Sequence, residues 1–348
     1  MRIEVRRMAA AALELGGPLA WGVASGWPAL GALAAIGALA VSGVSLGRVS
    51  PGPARLALVQ GAAVVAGTAV AGLAGAGVAG RGWITAVTVV LFAGLLAVVG
   101  GISRPMAEHS TRFIVFMVIA TGVANHVEPV AAAVLFAEGA IWSLFVTALC
   151  VHAKRPRRDG RERHPGSAAV ARPAPTGRAL LRRWWRTLGS VRGWQYPIRL
   201  ITCLAAAEIA GLLWPQPAAS WIAVTVVIVV RRRLDGAVRR AAERAAGTAA
   251  GVIAGSAVLL WVPPSWLFVL LVAVLAALRP VLKERHYTVY ATVMTPLVLL
   301  LMEGGGRVAP ATIGYRLADT VIGCVLALGL GYLPWAARRE GSVRAVLG

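Results

Sequence analysis

The chain has little charge for its length, and most of that charge has one sign. Only 14% of its 348 residues are charged, and it holds 35 Lys and Arg but 14 Asp and Glu, which gives a net charge of +21. Hydrophobic residues make up 58% of the sequence, which is more than one soluble core can bury. These proportions exclude an ordinary soluble domain and predict an all-α integral membrane protein.

Cysteine is scarce, and the sequence lacks the motifs of nucleotide and zinc enzymes. Cys150, Cys203 and Cys324 lie inside or at the edge of apolar segments, without the spacing of a disulfide framework or a metal site. No G-x-x-x-x-G-K-[ST] or H-E-x-x-H motif is present. We therefore expect no cofactor, no enzymatic activity and no ATP-driven transport by this chain.

Twelve apolar runs follow one another, which predicts about 12 transmembrane helices. Glu14 interrupts the first run and apolar sequence continues past it, so we interpret this run as a spanning helix rather than a cleaved signal peptide. The runs 112–125 and 218–230 are shorter than the ~20 residues that cross a bilayer, so each extends into its basic flank or stops part-way. The runs cover residues 9–26, 28–46, 57–79, 82–101, 112–125, 129–151, 197–214, 218–230, 241–262, 264–282, 287–302 and 313–335.

The basic residues collect at one end of these runs. If the N-terminus is cytoplasmic, all but three of the 35 Lys and Arg lie on the cytoplasmic side, the exceptions being Arg81, Arg307 and Arg316. Short cytoplasmic loops of membrane proteins are rich in Lys and Arg. The distribution predicts a multi-pass protein of the plasma or inner membrane with both termini in the cytoplasm. Because the charge lies between apolar runs, we expect it to contact anionic headgroups rather than nucleic acid.

A basic stretch divides the apolar runs into two groups of six. Residues 152–195 are rich in Arg, Pro and Gly and are predicted to form a cytoplasmic linker. We assign residues 1–151 to a first membrane repeat, 196–337 to a second, and 338–348 to a cytoplasmic tail.

The second part of the linker has a different pattern. From Arg178 onwards, the segment LLRRWWRTL is typical of an interfacial helix with Trp184 and Trp185 at headgroup level. A solvated basic tether explains the same residues equally well.

Residues recur in the same order in the two halves. Each half has an even number of runs, so the sequence predicts two six-helix repeats of parallel orientation, related by an axis along the membrane normal. The recurring pairs are Trp27 and Trp221, Ala66-Gly67-Thr68 and Ala246-Gly247-Thr248, Trp83 and Trp266, Arg104-Pro105 and Arg279-Pro280, Glu108-His109 and Glu284 with His286, and Glu138 and Asp319.

The second half also carries three motifs in a fixed order. They are Trp221-Ile-Ala-Val-Thr225 with Arg240, Arg244, Gly247-Thr248 and Gly251; His286-Tyr287 with Thr295-Pro296-Leu297; and Arg316 with Asp319-Thr320 and Gly323. With these motifs the chain resembles the fusaric acid resistance (FUSC) family, which includes aromatic carboxylic acid exporters and is related to the plant aluminium-activated malate channels. The resemblance implies membrane transport of organic anions.

The fifth run of each half is the candidate substrate site. Run 112–125 is short and run 287–302 contains Pro296, and matching interrupted segments in two halves often mark a binding site near mid-membrane. A basic and partly unwound entrance there suits an anion, because Arg binds carboxylate and His changes charge near neutral pH. The orientation of the protein by its basic loops explains the arginines equally well. The candidates are Arg104, His109 and Arg112 in the first half and Arg279, Arg285 and His286 in the second.

Carboxylates inside apolar runs are the candidate coupling groups, because an unpaired ionised group in the membrane is costly. Glu138 and Asp319 lie within their runs, as do Glu14 and Glu208. Arg316 precedes Asp319 by three residues and so lies one turn away on the same helix face. The sequence predicts either a buried pair that fixes helix packing or a proton-coupling and gating role for Glu138, Asp319 and Arg316.

Together these patterns favour a secondary efflux transporter of small organic anions, aromatic carboxylic acids among them, in the inner membrane. An anion channel is the first alternative, and an envelope scaffold that does not transport is the second. We expect the partners to be the anion and lipids with anionic headgroups, and the sequence leaves a homo-oligomer open.

Overall fold

The described part of the chain is helical. The computed structural model describes residues 2–42, 54–123, 127–152, 177–216, 220–232, 237–261, 264–285, 287–304 and 310–335, which contain thirteen helices and no strand. Twelve of these helices overlap the twelve apolar runs, and the other lies in the basic linker. The helices are α1 (Arg2–Ala24), α2 (Pro28–Val41), α3 (Ala54–Val78), α4 (Trp83–Val99), α5 (Arg104–Val123), α6 (Pro129–His152), α7 (Gly177–Leu188), α8 (Val191–Leu213), α9 (Ser220–Val229), α10 (Ala237–Trp261), α11 (Ser265–Arg285), α12 (Tyr287–Glu303) and α13 (Pro310–Gly331).

Five of the described helices are long and apolar enough to cross a membrane. These segments are Gln60–Val78, Pro129–Cys150, Gly193–Leu213, Ser265–Lys283 and Gly314–Trp335. Large apolar side chains such as Leu91, Leu149 and Val325 are exposed on the helix surfaces, as expected where lipid rather than water is the solvent. The protein is therefore a multi-pass membrane protein, while the count of twelve spans stays a prediction.

The two shortest apolar helices are also the most enclosed. At 1.5 Å per residue, the 14 residues of α2 extend about 21 Å and the 10 residues of α9 about 15 Å, against about 30 Å of hydrocarbon. Nearly all their side chains are buried by neighbouring helices. The two short runs, 112–125 and 218–230, correspond to α5 and α9. Helix α5 extends into its basic flank, because it begins at Arg104 and has 20 residues, whereas α9 does not extend and is too short to cross the membrane.

The helix packing follows one scheme in both halves. In the first half α2 packs on α6 and α3 on α5, and in the second half α9 packs on α13 and α10 on α12. The halves also interlock, because α1 packs on α11 and α8 packs on α4, while α5 contacts α9 and α12 contacts α2. Helices from both halves therefore surround the centre of the bundle.

Glycines allow several of these helices to approach closely. A Cβ atom at Gly139 on α6 would lie 1.7 Å from the carbonyl oxygen of Ala34 on α2, and one at Gly37 would lie 2.3 Å from the carbonyl oxygen of Phe136. On α10, a Cβ at Gly251 would lie 2.7 Å from the carbonyl oxygen of Thr292. Small residues at such contacts are typical of helix pairs in membranes.

Candidate functional site

A cavity lies at the centre of the bundle, between helices of the two halves. Its volume is about 70 Å³, which is room for two or three water molecules. Helix α5 contributes Val115, Phe116 and Ile119, and α2 contributes Leu39. The remaining wall comes from the second half: Trp221, Val224, Thr225 and Ile228 on α9, Arg244 and Thr248 on α10, and Met294, Thr295 and Val298 on α12.

Arg244 gives this otherwise apolar cavity its charge, since no other lining residue is ionisable. Its side chain is half-buried, and its Nε is buried without a hydrogen-bond partner among the described residues. A half-buried guanidinium with a buried, free Nε–H donor attracts an anion, because that donor has lost hydration that no described residue replaces. The cavity therefore has the chemistry of a small anion site.

A cluster of cations lies one helical turn from the cavity. Lys283 on α11 lies within electrostatic reach of Arg112, Arg231 and Arg279, and we call these four residues the basic cluster. Arg112 precedes the cavity-lining Val115 and Phe116 by three and four residues, so all three share one face of α5. The structure thus brings Arg112 of the first half together with Arg279 of the second, both of which the sequence predicts as site residues.

The other predicted residues of the first half lie at the rim of the basic cluster. Arg104 and Glu108 form an exposed pair, with Nε 3.6 Å from Oε1. Partial burial lowers the pKa of the His109 imidazole below its ordinary value, the Arg112 guanidinium lowers it further, and the Glu108 carboxylate acts in the opposite direction. Its surroundings therefore favour the neutral form of His109.

Two predicted residues of the second half cannot be placed in the site. His286 lies outside the described residues, and Arg285 is described only as the last residue of α11.

The fifth runs, α5 and α12, both line the cavity, but they are not unwound. Helix α12 continues through Pro296, and the hydroxyl of Thr295 donates to the carbonyl of Ala291 at 2.9 Å. The expected break in the helix is therefore wrong. Gly251 and Gly255 of α10 pack against Pro296, so we attribute the proline to this helix contact rather than to an unwound entrance.

Asp319 lies in a buried polar cluster at the other end of the cavity. Its side chain is fully buried, its Oδ1 accepts a hydrogen bond from the Gln216 side chain, and its Oδ2 has no partner among the described residues. Arg316 Nη2 forms its ion pair with Glu303 rather than with Asp319, which it reaches only through its electric field. The Arg316 guanidinium also lies 5.1 Å from the centroid of the Trp221 ring.

Trp221 connects the cavity with this polar cluster. Its ring lines the cavity, and its Nε1 donates to the hydroxyl of Thr320 at 3.1 Å. Trp221 is buried, whereas Trp27, Trp83 and Trp266 are exposed. A belt of aromatic side chains at the membrane surface, which is the usual role of such residues, therefore suits those three but not Trp221.

The remaining intramembrane carboxylates have different surroundings. Glu138 on α6 is exposed and Glu208 on α8 is half-buried. Glu14 on α1 is buried and accepts hydrogen bonds from Ser42 and Thr147. Of the two predicted coupling carboxylates, only Asp319 lies in an enclosed polar cluster next to the cavity.

Sequence reasoning did not select Arg244, Arg231 or Lys283 as site residues. The orientation rule explains all three as cytoplasmic charge, and Arg244 is in addition part of the first motif of the second half. The available signal was the position of Arg244 in the motif that ends at Gly251, because that spacing places Arg244 one turn before the cavity-lining Thr248.

The helices and their apolar surfaces define the class as a multi-pass helical membrane protein. Residues 203–330 match the family described as fusaric acid resistance protein-like, from within α8 to within α13. Residues 203–330 are therefore similar to this family, as the motifs of the second half predict, and the family is one of membrane transporters. No match to the chain was found among curated proteins or among solved structures.

Proposed function

We propose that the protein is a secondary exporter of small organic anions, aromatic carboxylic acids among them, in the inner membrane with both termini in the cytoplasm. The observation that carries the proposal is the central cavity with the unpartnered Nε of Arg244. The fusaric acid resistance protein-like match supports transport in general. The proposed substrate class is inferred from the chemistry of the cavity.

The route of the anion follows from the order of charges along the bundle. The basic cluster lies at the end that the distribution of Lys and Arg predicts to be cytoplasmic, where it raises the local concentration of anions. One turn further in, Arg244 provides a site for a carboxylate, and the apolar wall formed by Phe116, Met294 and Val298 suits an aromatic or aliphatic body. On the other side of Trp221, Arg316 is the next cation along the proposed route towards the outside.

The two halves act as parallel six-helix repeats in this proposal. The packing of α8 on α4 mirrors that of α1 on α11, and the contacts of α5 with α9 mirror those of α12 with α2. The cavity lies between these halves, so a rocking motion of one half against the other would open it to either side in turn.

The size of the cavity favours a transporter over a channel. A volume of about 70 Å³ is far below the several hundred Å³ of a typical site for a drug-sized ligand. An organic anion therefore enters only when helices move, which is the behaviour of alternating access. Asp319, with one unpartnered carboxylate oxygen next to Trp221, is the proposed proton-coupling group.

The proposal is tested by flux of labelled benzoate and labelled acetate into proteoliposomes, with and without an imposed pH gradient. Arg244→Gln is the test variant, since it removes the charge and keeps a polar side chain of similar length. Arg239→Gln is the matched control, because Arg239 is 86% exposed on the same helix and pairs with Glu243 at 2.8 Å. We expect Arg244→Gln to lower flux at least about tenfold, as for loss of a charge-assisted hydrogen bond, and Arg239→Gln to leave flux unchanged.

Three outcomes decide between the alternatives. Accumulation of the anion driven by the pH gradient supports a coupled exporter. A conductance that follows voltage alone would favour the anion channel. No flux of either acid, together with a cellular phenotype that depends on the linker at 152–195, would favour the scaffold.

A further inference from the structure

Two equivalent contacts between the halves carry opposite charge patterns. Where α1 packs on α11, the carboxylate of Glu14 lies 4.0 Å from Nη2 of Arg279, and both side chains are nearly buried. The second contact is that of α8 with α4. Two fully buried leucines four residues apart occur on each of the two helices, Leu15 and Leu19 on α1 and Leu200 and Leu204 on α8. In this alignment Arg199 on α8 takes the position of Glu14.

Arg199 is a buried cation that has no acidic partner in the part of the chain that the structure describes. Its side chain is 1% exposed, its Nε donates to the carbonyl oxygen of Gly331, and its Nη2 has no hydrogen-bond partner among the described residues. Among the described residues, Tyr332 interacts with it electrostatically and through a side-chain hydrogen bond, and Cys203 and Tyr196 interact with it electrostatically. At the contact of α8 with α4, no described carboxylate takes the place that Glu14 has at the contact of α1 with α11.

Arg232 brings a second guanidinium to the same contact. Its Nη2 donates to the carbonyl oxygen of Ala97 at the end of α4 at 2.6 Å, and its Cζ lies 4.4 Å from the centroid of the Tyr196 ring. Its Nε is also buried without a partner among the described residues. Gly100 leaves the space that this guanidinium occupies, since a Cβ at Gly100 would lie 2.4 Å from Nη2.

Burial lowers the pKa of the Arg232 guanidinium, and the Tyr196 phenol acts in the opposite direction. A guanidinium nevertheless stays charged in proteins. Arg199 and Arg232 both interact electrostatically with the hydroxyl of Tyr196, so two cations converge on one tyrosine. Two partly dehydrated cations without a counter-ion are costly, because neither the tyrosines nor a backbone carbonyl carries a full negative charge.

We propose that Arg199 and Arg232 form a binding site for a phosphate group at the contact of α4 with α8, filled by the headgroup of an anionic phospholipid. The phosphate takes the place that the Glu14 carboxylate occupies in the contact of α1 with α11. Guanidinium groups bind phosphate through paired N–H donors. The inference does not depend on which substrate the protein transports.

The position of the site favours a lipid as the source of the phosphate. Helix α7 lies against the end of α4, where Trp184 Nε1 donates to the carbonyl oxygen of Val98 at 3.0 Å. On α7 itself, Leu181 and Trp185 are exposed, and Arg178 and Arg182 are exposed beside them. A helix with exposed apolar side chains beside arginines is typical of the interface of an anionic membrane. A phosphate at that depth is in reach of a lipid headgroup.

The test measures stabilisation of the full-length protein in detergent by three probes: phosphatidylglycerol, phosphatidylcholine and inorganic phosphate. The midpoint of thermal unfolding is recorded as each probe is added, since a ligand that binds only the folded state raises the midpoint. Arg232→Gln is the main variant, because Arg232 makes one described hydrogen bond to the protein and its loss is expected to be tolerated. Arg239→Gln is the matched control, as an exposed arginine on α10.

We expect phosphatidylglycerol to raise the midpoint of the native protein, and the concentration for half the effect to rise at least about tenfold in Arg232→Gln but not in Arg239→Gln. The same dependence on Arg232 with inorganic phosphate alone would support the site and assign it to a free oxyanion rather than a lipid. Gly100→Ala is a second variant, which displaces the Arg232 guanidinium while keeping its charge. We expect it to raise the half-effective concentration of phosphatidylglycerol as well.

Two results overturn the proposal. One is that phosphatidylglycerol and inorganic phosphate stabilise the native protein no more than phosphatidylcholine does. The other is that Arg232→Gln and Gly100→Ala respond to phosphatidylglycerol with the same half-effective concentration as the native protein. In either case the cation–π contacts with Tyr196 and Tyr332 and the hydrogen bonds to the carbonyl oxygens of Gly331 and Ala97 are sufficient to hold the two arginines.

Discussion

The hydroxyl of Ser42 lies between Arg279 and Glu14 and joins them. Arg279 Nη2 donates to Ser42 Oγ, Ser42 Oγ donates to Glu14 Oε2, and the two charged groups are 4.0 Å apart. Their side chains are 10% and 7% exposed. Since Glu14 belongs to the first half and Arg279 to the second, this chain of hydrogen bonds links the two halves of the bundle.

We predict that Arg279→Gln or Glu14→Gln alone destabilises the protein by about 3–5 kcal/mol, because each leaves an uncompensated charge in a buried contact. The double variant should lose less than the sum of the two single variants, since neither charge then remains. The measurement is thermal unfolding in detergent. Arg104→Gln is the control, because the Arg104 and Glu108 pair is exposed and should contribute no more than about 0.5 kcal/mol. Additive losses would contradict the coupling of Arg279 with Glu14.

A second prediction concerns the contact of α2 with α6. Gly139→Ala places a Cβ 1.7 Å from the carbonyl oxygen of Ala34, so the helices must separate, at a cost of about 1–3 kcal/mol. Gly67→Ala on α3 is the matched control, since a Cβ there has no neighbour within 4 Å among the described residues. It should be neutral or stabilise by about 0.4–1 kcal/mol. Thermal unfolding of both variants checks the prediction, and equal midpoints would contradict the close contact.

Much of the fold could be predicted from the sequence because apolar runs and helix ends are local signals. The run 28–46 begins at Pro28, a favoured first residue of a helix, and α2 begins there. The helix at Arg178 to Leu188 could be predicted for the same reason, since its arginines and tryptophans separate onto two faces. Helix α9 could not be predicted in this way. A ten-residue apolar helix is too short to cross the membrane, and only its enclosure by other helices explains how it is accommodated.

The candidate site was less predictable, because its residues come together only through packing. Arg112 and Arg279 could be selected from the sequence, since basic residues next to interrupted runs suit an anion. Charge alone does not separate Arg244 from the arginines around it, because every arginine near a cytoplasmic loop follows the same orientation rule, and only its place in the motif that ends at Gly251 distinguishes it. The pairing of Arg316 with Glu303 instead of Asp319 depends on the contact between α12 and α13, which spacing along one helix does not encode.

A third prediction separates the two carboxylates that the sequence predicts for coupling, Asp319 and Glu138. Asp319→Asn keeps the size of the side chain and an oxygen that can accept the Gln216 hydrogen bond, but it removes the group that can bind a proton. We expect the variant to lose accumulation of benzoate driven by a pH gradient while it keeps exchange of benzoate across the membrane. Glu138→Gln should keep both activities, because Glu138 is exposed on α6 and lies outside the polar cluster.

The flux measurement for these variants needs a matched amount of folded protein, checked by size-exclusion chromatography. Unchanged gradient-driven accumulation in Asp319→Asn would exclude Asp319 as the coupling group. If Glu138→Gln lost the gradient-driven accumulation of benzoate and Asp319→Asn kept it, Glu138 would be the coupling group instead.

A final prediction tests whether the two halves cross the membrane in the same direction. Single cysteines are introduced at Arg81, between α3 and α4, at Pro264, between α10 and α11, and at Arg239, and all three positions are exposed. Parallel repeats place Arg81 and Pro264 in equivalent loops outside the cell, and Arg239 in the cytoplasm, because each half has an even number of predicted spans. An impermeant maleimide should therefore label the first two positions in intact cells, and Arg239→Cys only after permeabilisation. The background is Cys150→Ser, since Cys203 and Cys324 are buried. Labelling of Arg81→Cys and Pro264→Cys from opposite sides would show that the halves are inverted, and an anion route built from parallel repeats would then fail.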